Sequence, residues 1–160
     1  MTKKRPPKPD HFSSLLEARK KAMDYLARRE YAGDELCQKL ANAGFDAQVA
    51  QDAVKRLTSE GLQNDRRFVA AFVHARINQG KGPARIRADL RQRGISDVLL
   101  SEALNDSEQD WFALAREVRA RKFGADLPRD FKEKARQMRF LQSRGFESDH
   151  IQAAADDREH

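Results

Sequence analysis

Three glycines govern what this chain can fold into. Gly44, Gly94 and Gly145 lie 50 and 51 residues apart, and each ends an amphipathic run. A helix commonly ends on a left-handed residue, a conformation that glycine adopts without strain. The residue after each glycine is large and apolar: Phe45, Ile95 and Phe146. Next comes Asp46, Ser96 or Glu147. Aspartate and serine are good helix N-caps, but glutamate is a poor one, so Ser148 is the alternative cap in the third copy. Ala50, Leu100 and Ile151 stand five residues beyond the apolar position, the spacing of a hydrophobic staple that fixes how the chain enters the second helix. Each copy therefore reads as two short helices joined by a glycine turn. Self-similarity at a fixed period identifies a repeat architecture and is settled before any single motif is read.

A longer helical run precedes each hairpin. The first helix is expected over Ser14–Glu30, with Leu15, Ala18, Ala22, Tyr25, Leu26 and Arg29 at helical spacing. The second is expected over Asp34–Ala43 and the third over Ala47–Ser59, the latter with Val49 or Ala50, Ala53, Val54 and Leu57 inward. Asn64 or Asp65 caps a fourth, whose stripe is Phe68, Val69, Phe72, Val73, Arg76 and Ile77. Gly80 and Gly82 end it, and Pro83 opens a fifth in the first-turn position that proline tolerates. The fifth and sixth form the hairpin Ile86–Leu104. Ser107-Glu108-Gln109-Asp110 reads as a capping signal for a seventh helix to about Lys122, with Trp111, Phe112, Leu114, Ala115 and Val118 as core. Phe123–Leu127 is a loop. Pro128 opens an eighth helix with Phe131, Ala135, Met138 and Leu141 or Phe140 inward, and a ninth runs from about Ser148 to Asp156.

No stretch alternates with period two, so the expectation is an all-α chain of three stacked three-helix repeats. The boundaries expected are a disordered Pro-rich basic tail at 1–13, repeats at 14–62, 63–106 and 107–157, and a frayed end at 158–160. Apolar residues make up 39% and charged residues 35%, which suits an elongated, curved, solenoid-like body better than a sphere.

One cysteine, Cys37, excludes an internal disulfide and a cysteine-based zinc site. It lies on a helical face beside Leu36 and Leu40 and reads as a packed thiol. His11, His74, His150 and His160 are scattered without i, i+4 pairing, so no metal site and no cofactor are expected. No phosphate-binding glycine loop is present, and Gly80-Lys81-Gly82 is a helix end with a lysine. Nothing supports an enzyme. No apolar run approaches the roughly 20 residues of a membrane span, and Met1–Asp10 has no apolar core after its basic residues, so a cytosolic, soluble protein is expected.

The formal charge is +6. The stretches Glu17–Gly61 and Glu108–His160 are each balanced. The folded excess lies in Leu62–Ser107, which holds Arg66, Arg67, Arg76, Lys81, Arg85, Arg87, Arg91 and Arg93. Arginine suits carboxylate and phosphate recognition better than lysine does. Arg87 and Arg91, four apart, lie side by side on a face distinct from Ile86 and Leu90. The expected partner-binding set is Arg76, Lys81, Arg85, Arg87, Arg91 and Arg93. The competing reading is a solvated face of ordinary ion pairs, for example Arg85 with Asp89. Arg116, Arg119, Arg121 and Lys122 form a second basic cluster, which the dipole of the seventh helix largely explains.

The chain resembles the RecX family, bacterial regulators of the recombinase RecA. The resemblance rests on Arg29-Glu30-Tyr31-Ala32-Gly33-Asp34-Glu35-Leu36, with Lys39-Leu40 and Gly44-Phe45. In the middle repeat it rests on Gly61-Leu62-Gln63-Asn64-Asp65-Arg66-Arg67-Phe68-Val69, Phe72-Val73, Arg76, Gly80-Lys81-Gly82, Ile86, Leu90 and Gly94-Ile95. In the third it rests on Phe140-Leu141 and Arg144-Gly145-Phe146. It covers about Ala18–Asp156. Two residues depart from the family pattern. Ala32 stands where a serine often forms a capping box with Glu35, so the second helix is expected to start later or be softer. Gln63 replaces an aliphatic residue. The resemblance implies three tandem three-helix units in an extended, curved molecule. It also implies binding in the groove of RecA filaments on single-stranded DNA, with suppression of strand exchange, ATP hydrolysis and the co-protease activity behind the SOS response. The excess positive charge of the middle repeat makes the Ile86–Leu104 hairpin the part expected to meet the filament, as a monomer. A direct, non-specific DNA-binding helical protein is the alternative, since a basic patch binds phosphate without sequence preference.

Overall fold

Gly44, Gly94 and Gly145 adopt φ values of +107°, +78° and +95°. In the first and third copies the backbone closes in the same way. Phe45 N–H donates to Leu40 C=O and Gly44 N–H to Ala41 C=O, at 3.1 and 3.0 Å. Phe146 N–H donates to Leu141 C=O and Gly145 N–H to Gln142 C=O, at 3.2 and 3.0 Å. This paired closure satisfies the carbonyls that a helix end leaves bare.

The computed structural model describes residues 11–156. The basic tail before them and the end after them lie outside the described residues. His11–Ser13, expected as part of that tail, forms one 3-10 turn. Among the described residues there are nine α-helices and no strand: α1 Leu15–Arg28, α2 Gly33–Asn42, α3 Ala47–Ser59, α4 Asp65–Asn78, α5 Pro83–Gln92, α6 Asp97–Asp106, α7 Trp111–Phe123, α8 Phe131–Ser143 and α9 Ser148–Asp156. They fall into two compact units. Unit 1 runs to Val69 and takes in Arg93–Ile95; unit 2 holds Ala70–Gln92 and the chain from Ser96 onward.

In unit 1, α1 packs on α3 and α2, and α2 on α3. The core is Ala18, Ala22, Tyr31, Leu36, Leu40, Phe45, Ala50, Ala53, Val54 and Leu57. Alanine at 18, 22, 50 and 53 lets helix axes approach closely, while Leu36, Leu40 and Leu57 supply volume. Fully burying each such leucine contributes about 1.5–3 kcal/mol. Phe45 and Ala50 are both buried, so the staple is formed. Ser14 caps α1 and Asp46 caps α3 through their side chains. Arg29, expected within the periodic stripe of the first helix, is instead the exposed residue after α1. Its guanidinium covers the Tyr31 ring at 3.6 Å and holds Glu35 through two bonds of 3.1 Å.

α2 does not start late. It begins at Gly33, after an Ala32 that offers no side-chain cap. The missing cap comes from 32 residues away, where Asp65 Oδ1 accepts the Gly33 N–H at 2.9 Å. Gln63 holds that carboxylate in place. It is 2% exposed, and its amide donates to Asp65 Oδ1 and to Tyr31 C=O at 2.9 and 3.0 Å, while its Oε1 accepts from Thr58 Oγ1 at 2.7 Å. The two departures from the family pattern are therefore coupled. A local serine cap is replaced by a remote aspartate, and the buried glutamine positions it. Asn64, not Asp65, caps α4, accepting the Arg67 N–H.

In unit 2, α7 packs on α9 and α8, α8 packs on α9, and α5 packs on α6. Leu114, Ala115, Val118, Leu141, Phe146, Ile151 and Ala154 form a core flanked by Ile77, Trp111, Met138 and Phe140. Three expectations at this end are corrected. Ser107 ends α6, bonding Leu104 C=O, and Asp110 alone caps α7. Pro128 lies in the loop, and α8 starts three residues later behind the Asp130 cap. Phe131 is then the first helical residue and 86% exposed, because ten residues before Leu141 place it roughly 80° round the helix from that core position. At α9, Glu147 keeps the cap position: its C=O accepts the Ile151 N–H, and its own N–H is taken by His150 Nδ1 at 3.2 Å. A histidine thus completes the cap that glutamate alone makes poorly.

The start of α5 is fastened to the α8–α9 turn through backbone. Gly82 N–H donates to Arg144 C=O at 2.8 Å and Ala84 N–H to Gly145 C=O at 2.9 Å. A Cβ on Gly82 would fall inside the Gly145 carbonyl group, and a Cβ on Gly145 inside Arg85. Gly145→Ala therefore meets backbone strain and a clash together, and its loss of stability should reach about 3 kcal/mol or more in urea denaturation. Gly124→Ala, with a similar φ and open space around it, should lose only about 1–2 kcal/mol. Equal losses would show that the close approach is not what the glycine serves. Asp65→Ala should cost about 1 kcal/mol, the usual worth of a helix cap, and adding Ala32→Ser should recover part of it in the same measurement.

Candidate partner-binding site

The five arginines and one lysine singled out from sequence occupy both units. Arg93 lies in unit 1, where its Nε is 3.4 Å from Glu35 Oε2, the carboxylate that Arg29 also holds. The other five lie in unit 2. Arg91 pairs with Asp97 at 2.9 Å across the hairpin turn, both side chains well exposed. Arg87 reaches Glu147 at the start of α9, at 2.6 Å. Arg85 and Arg76 share Asp89, at 3.6 and 3.7 Å, and Arg76 also lies over the Phe72 ring at 4.4 Å. The expected Arg85–Asp89 pair is thus present. The exposed Arg91–Asp97 pair contributes about 0–1 kcal/mol, so it holds its arginine loosely and yields it to a partner at small cost.

Lys81 is different. It has no ion-pair partner among the described residues. Burial, and then Arg144, Arg85 and Arg76, hold its ammonium below the ordinary lysine value, with Asp89 opposing. Arg144 was not singled out from sequence. The signal for it was there: it precedes Gly145 as Arg93 precedes Gly94.

The second basic cluster does not present one surface. Arg119 is 4% exposed, and its guanidinium donates to the carbonyls of Gly124, Ala125 and Asp126 and to Gln137 Oε1, at 3.2–3.3 Å. It ties the α7–α8 loop down from inside. Arg121 pairs with Glu117 one turn back, Lys122 stands 5.7 Å from the Phe140 ring centre, and Arg116 is half-buried.

One group of candidate metal ligands appears that the sequence did not suggest. Side-chain atoms of Glu147, Asp149 and His150 lie within 4.8 Å of one another. Each already has work at the start of α9: Glu147 pairs with Arg87, His150 Nδ1 accepts the Glu147 N–H, and Asp149 Oδ1 accepts the His150 N–H. His150 is buried against the edge of Phe112, ring centres 4.8 Å apart. The grouping serves the helix cap. Cys37 is half-buried, and burial with Asp34 pushes its thiol up, away from nucleophile chemistry. No helix among the described residues is long and apolar enough to cross a membrane.

Lys81 generates a prediction on stability. Its charged form is disfavoured in the fold, a penalty present in full at neutral pH that disappears as pH rises through the lowered value toward the ordinary one. Lys81→Gln should therefore raise the melting temperature at neutral pH and low salt. The gain should shrink as added salt screens the repulsion. A lower melting temperature for the variant would show that the ammonium is stabilising where it stands.

Comparison with known proteins agrees with this architecture. The sequence patterns described as the first, second and third three-helix domains of RecX match residues 18–57, 64–104 and 108–154. Regulatory protein RecX of Halorhodospira halophila is 48% identical over 134 residues, which is 84% of this chain and 83% of that protein. Regulatory protein RecX of Pseudomonas entomophila is 43% identical over 133 residues, 83% of this chain and 86% of that one. Two solved structures share the fold. A crystal structure of regulatory protein RecX has a TM-score of 0.75 at 22% identity, covering 90% of this chain and 73% of that one. The crystal structure of RecX from Lactobacillus salivarius has a TM-score of 0.72 at 20% identity, covering 89% and 95%. Three matched domains along most of the length, in an all-helical fold, place this chain in the RecX family of regulatory proteins.

Proposed function

We propose that this chain is a negative regulator of homologous recombination and the SOS response. In this reading it binds RecA filaments on single-stranded DNA in their helical groove and lowers their ATPase, strand-exchange and co-protease activities. The observation that carries the reading is family membership over most of the chain, at 41–48% identity to several regulatory RecX proteins. The protein acts by binding, in the cytoplasm and as a monomer, through repeats bounded at 14–62, 63–106 and 107–157. The contacts proposed are Arg76, Lys81, Arg85, Arg87, Arg91 and Arg93, with Arg116, Arg121 and Lys122 secondary. Arg119 is left out of that set because its guanidinium is spent on the loop carbonyls. The exposed pair Arg91–Asp97 opens at small cost, the half-buried pair Arg87–Glu147 at more, and each released arginine fits a carboxylate or a phosphate.

The alternative, direct DNA binding, draws on the convergence of Arg76, Lys81 and Arg85 around one carboxylate. Salt separates the two. Binding to naked DNA falls steeply with salt, whereas filament regulation should persist where naked-DNA binding is lost.

The test is DNA-dependent ATP hydrolysis by RecA with and without this protein. Inhibition at or below stoichiometric amounts is expected, and none at stoichiometry would remove the reading. A folded Arg87→Glu, Arg91→Glu variant should lose at least about tenfold in inhibitory potency, since two reversed charges meet the partner with repulsion. Unchanged potency would take those two residues out of the interface.

A further inference from the structure

The turn contacts in the two units use charge in opposite ways. In unit 1 the turn Arg93-Gly94-Ile95 lies against the first turn of α2. A Cβ on Gly94 would fall on Asp34, and Arg93 pairs with Glu35. In unit 2 the turn Arg144-Gly145-Phe146 lies against the first turn of α5. The repeat register equates Leu36 with Ile86, Leu40 with Leu90 and Gly44 with Gly94. Arg85 therefore stands in the place of Glu35, and Arg144 in the place of Arg93. One contact closes an ion pair; the other brings Arg85 and Arg144 to the same pair of facing turns.

Two more cations join them. Lys81 is held at the end of α4, its N–H on Arg76 C=O at 3.0 Å, next to the Gly82 that is bonded to Arg144. Arg76 reaches in from α4 to Asp89. That carboxylate serves Arg76 and Arg85 at distances longer than a hydrogen bond. Arg144, like Lys81, has no ion-pair partner among the described residues and rests on the Phe140 ring at 5.1 Å. Burial is the first cause that holds the Lys81 ammonium low, and Arg144, Arg85 and Arg76 each add to it, so Lys81 lies in the field of all three arginines. Backbone hydrogen bonds between α5 and the α8–α9 turn hold this arrangement together against its own repulsion.

We infer that Arg76, Lys81, Arg85 and Arg144 form a preorganised oxyanion site that takes a phosphate of a nucleic-acid backbone, with Arg144 a contact contributed by the third repeat. The inference rests on the reading of a DNA-containing target. Four cations against one internal carboxylate leave an excess that a single partner carboxylate would not balance. A phosphodiester offers two unbridged oxygens to forked arginine donors, and its neighbours along the strand extend the attraction.

The experiment measures binding of the full chain to a fluorescent thymidine oligomer across a salt series. The variants are Lys81→Gln with Arg144→Gln and, as a charge-matched control, Lys55→Gln with Arg56→Gln on exposed α3. Each is checked for helix content. Loss of two phosphate contacts should lower the slope of log affinity against log salt by about 1.4, and low-salt affinity by about tenfold or more. The control should change both much less. Equal losses in the two variants, no loss, or no oligomer binding by the unaltered protein at low salt would overturn the site. Inorganic phosphate should displace the oligomer no better than chloride at equal ionic strength; stronger displacement would assign the site to free phosphate and overturn the polynucleotide. Should the double variant lose helix, Arg144→Gln alone carries the test, with a slope change of about 0.7. RecA ATPase is read in parallel. A variant that keeps oligomer binding but loses inhibition would make the cluster a protein-carboxylate site and overturn the inference. Oligomer binding lost with inhibition intact supports the phosphate site and leaves the RecA reading standing without it. Oligomer binding at the cluster without any RecA inhibition by the unaltered protein supports the site and removes the regulatory reading.

Discussion

The bond pair from Gly82 and Ala84 to the carbonyls of Arg144 and Gly145 is the contact on which unit 2 depends. It joins the first turn of one repeat's short helix to the glycine turn of the next. Two backbones approach closely only where no Cβ intervenes, and both faces here are glycine. The bonds also occupy N–H groups at the start of α5 that the helix cannot satisfy itself. One geometric demand therefore fixes three things: the glycines, the orientation of α5, and the closeness of Arg85 to Arg144.

That closeness gives the chain its charge character. In unit 1 the corresponding residues are Glu35 and Arg93, and they attract. In unit 2 they are Arg85 and Arg144, and both, with Arg76, disfavour the charge on half-buried Lys81. Stability spent there is recovered from the apolar core of α7, α8 and α9 and from the backbone bonds. Like charges held by the fold are preorganised for the oppositely charged partner proposed above, because the cost of assembling them is met in folding.

The local features were legible in the sequence. Glycine turns, side-chain caps at Asp46 and Ser96, and the inward leucines and isoleucines all depend on residues within about five positions, so periodicity and capping chemistry reveal them. Errors came where two local signals competed. Ser107 fits either the end of one helix or the start of the next, and the structure uses it for the first. Pro128 is compatible with a helix start, but Asp130 is the stronger cap and wins. Phe131 followed from that shift and moved from core to surface.

The sequence by itself determined that this chain is helical, where seven of the nine helices among the described residues begin to within about a residue, and that three like units follow one another, since these follow from short-range sterics and hydrogen bonding. Tertiary structure decided which polar groups meet. Asp65 caps Gly33 across 32 residues, Arg119 turns inward to loop carbonyls and Gln137, and Arg144 joins Lys81, 63 positions earlier in the chain. No period or cap announces such a pair. Whether a charged side chain points to water, to a carbonyl or to another charge is set by the low-dielectric space and the neighbours that folding brings to it, and those come from the packing of helices distant in sequence.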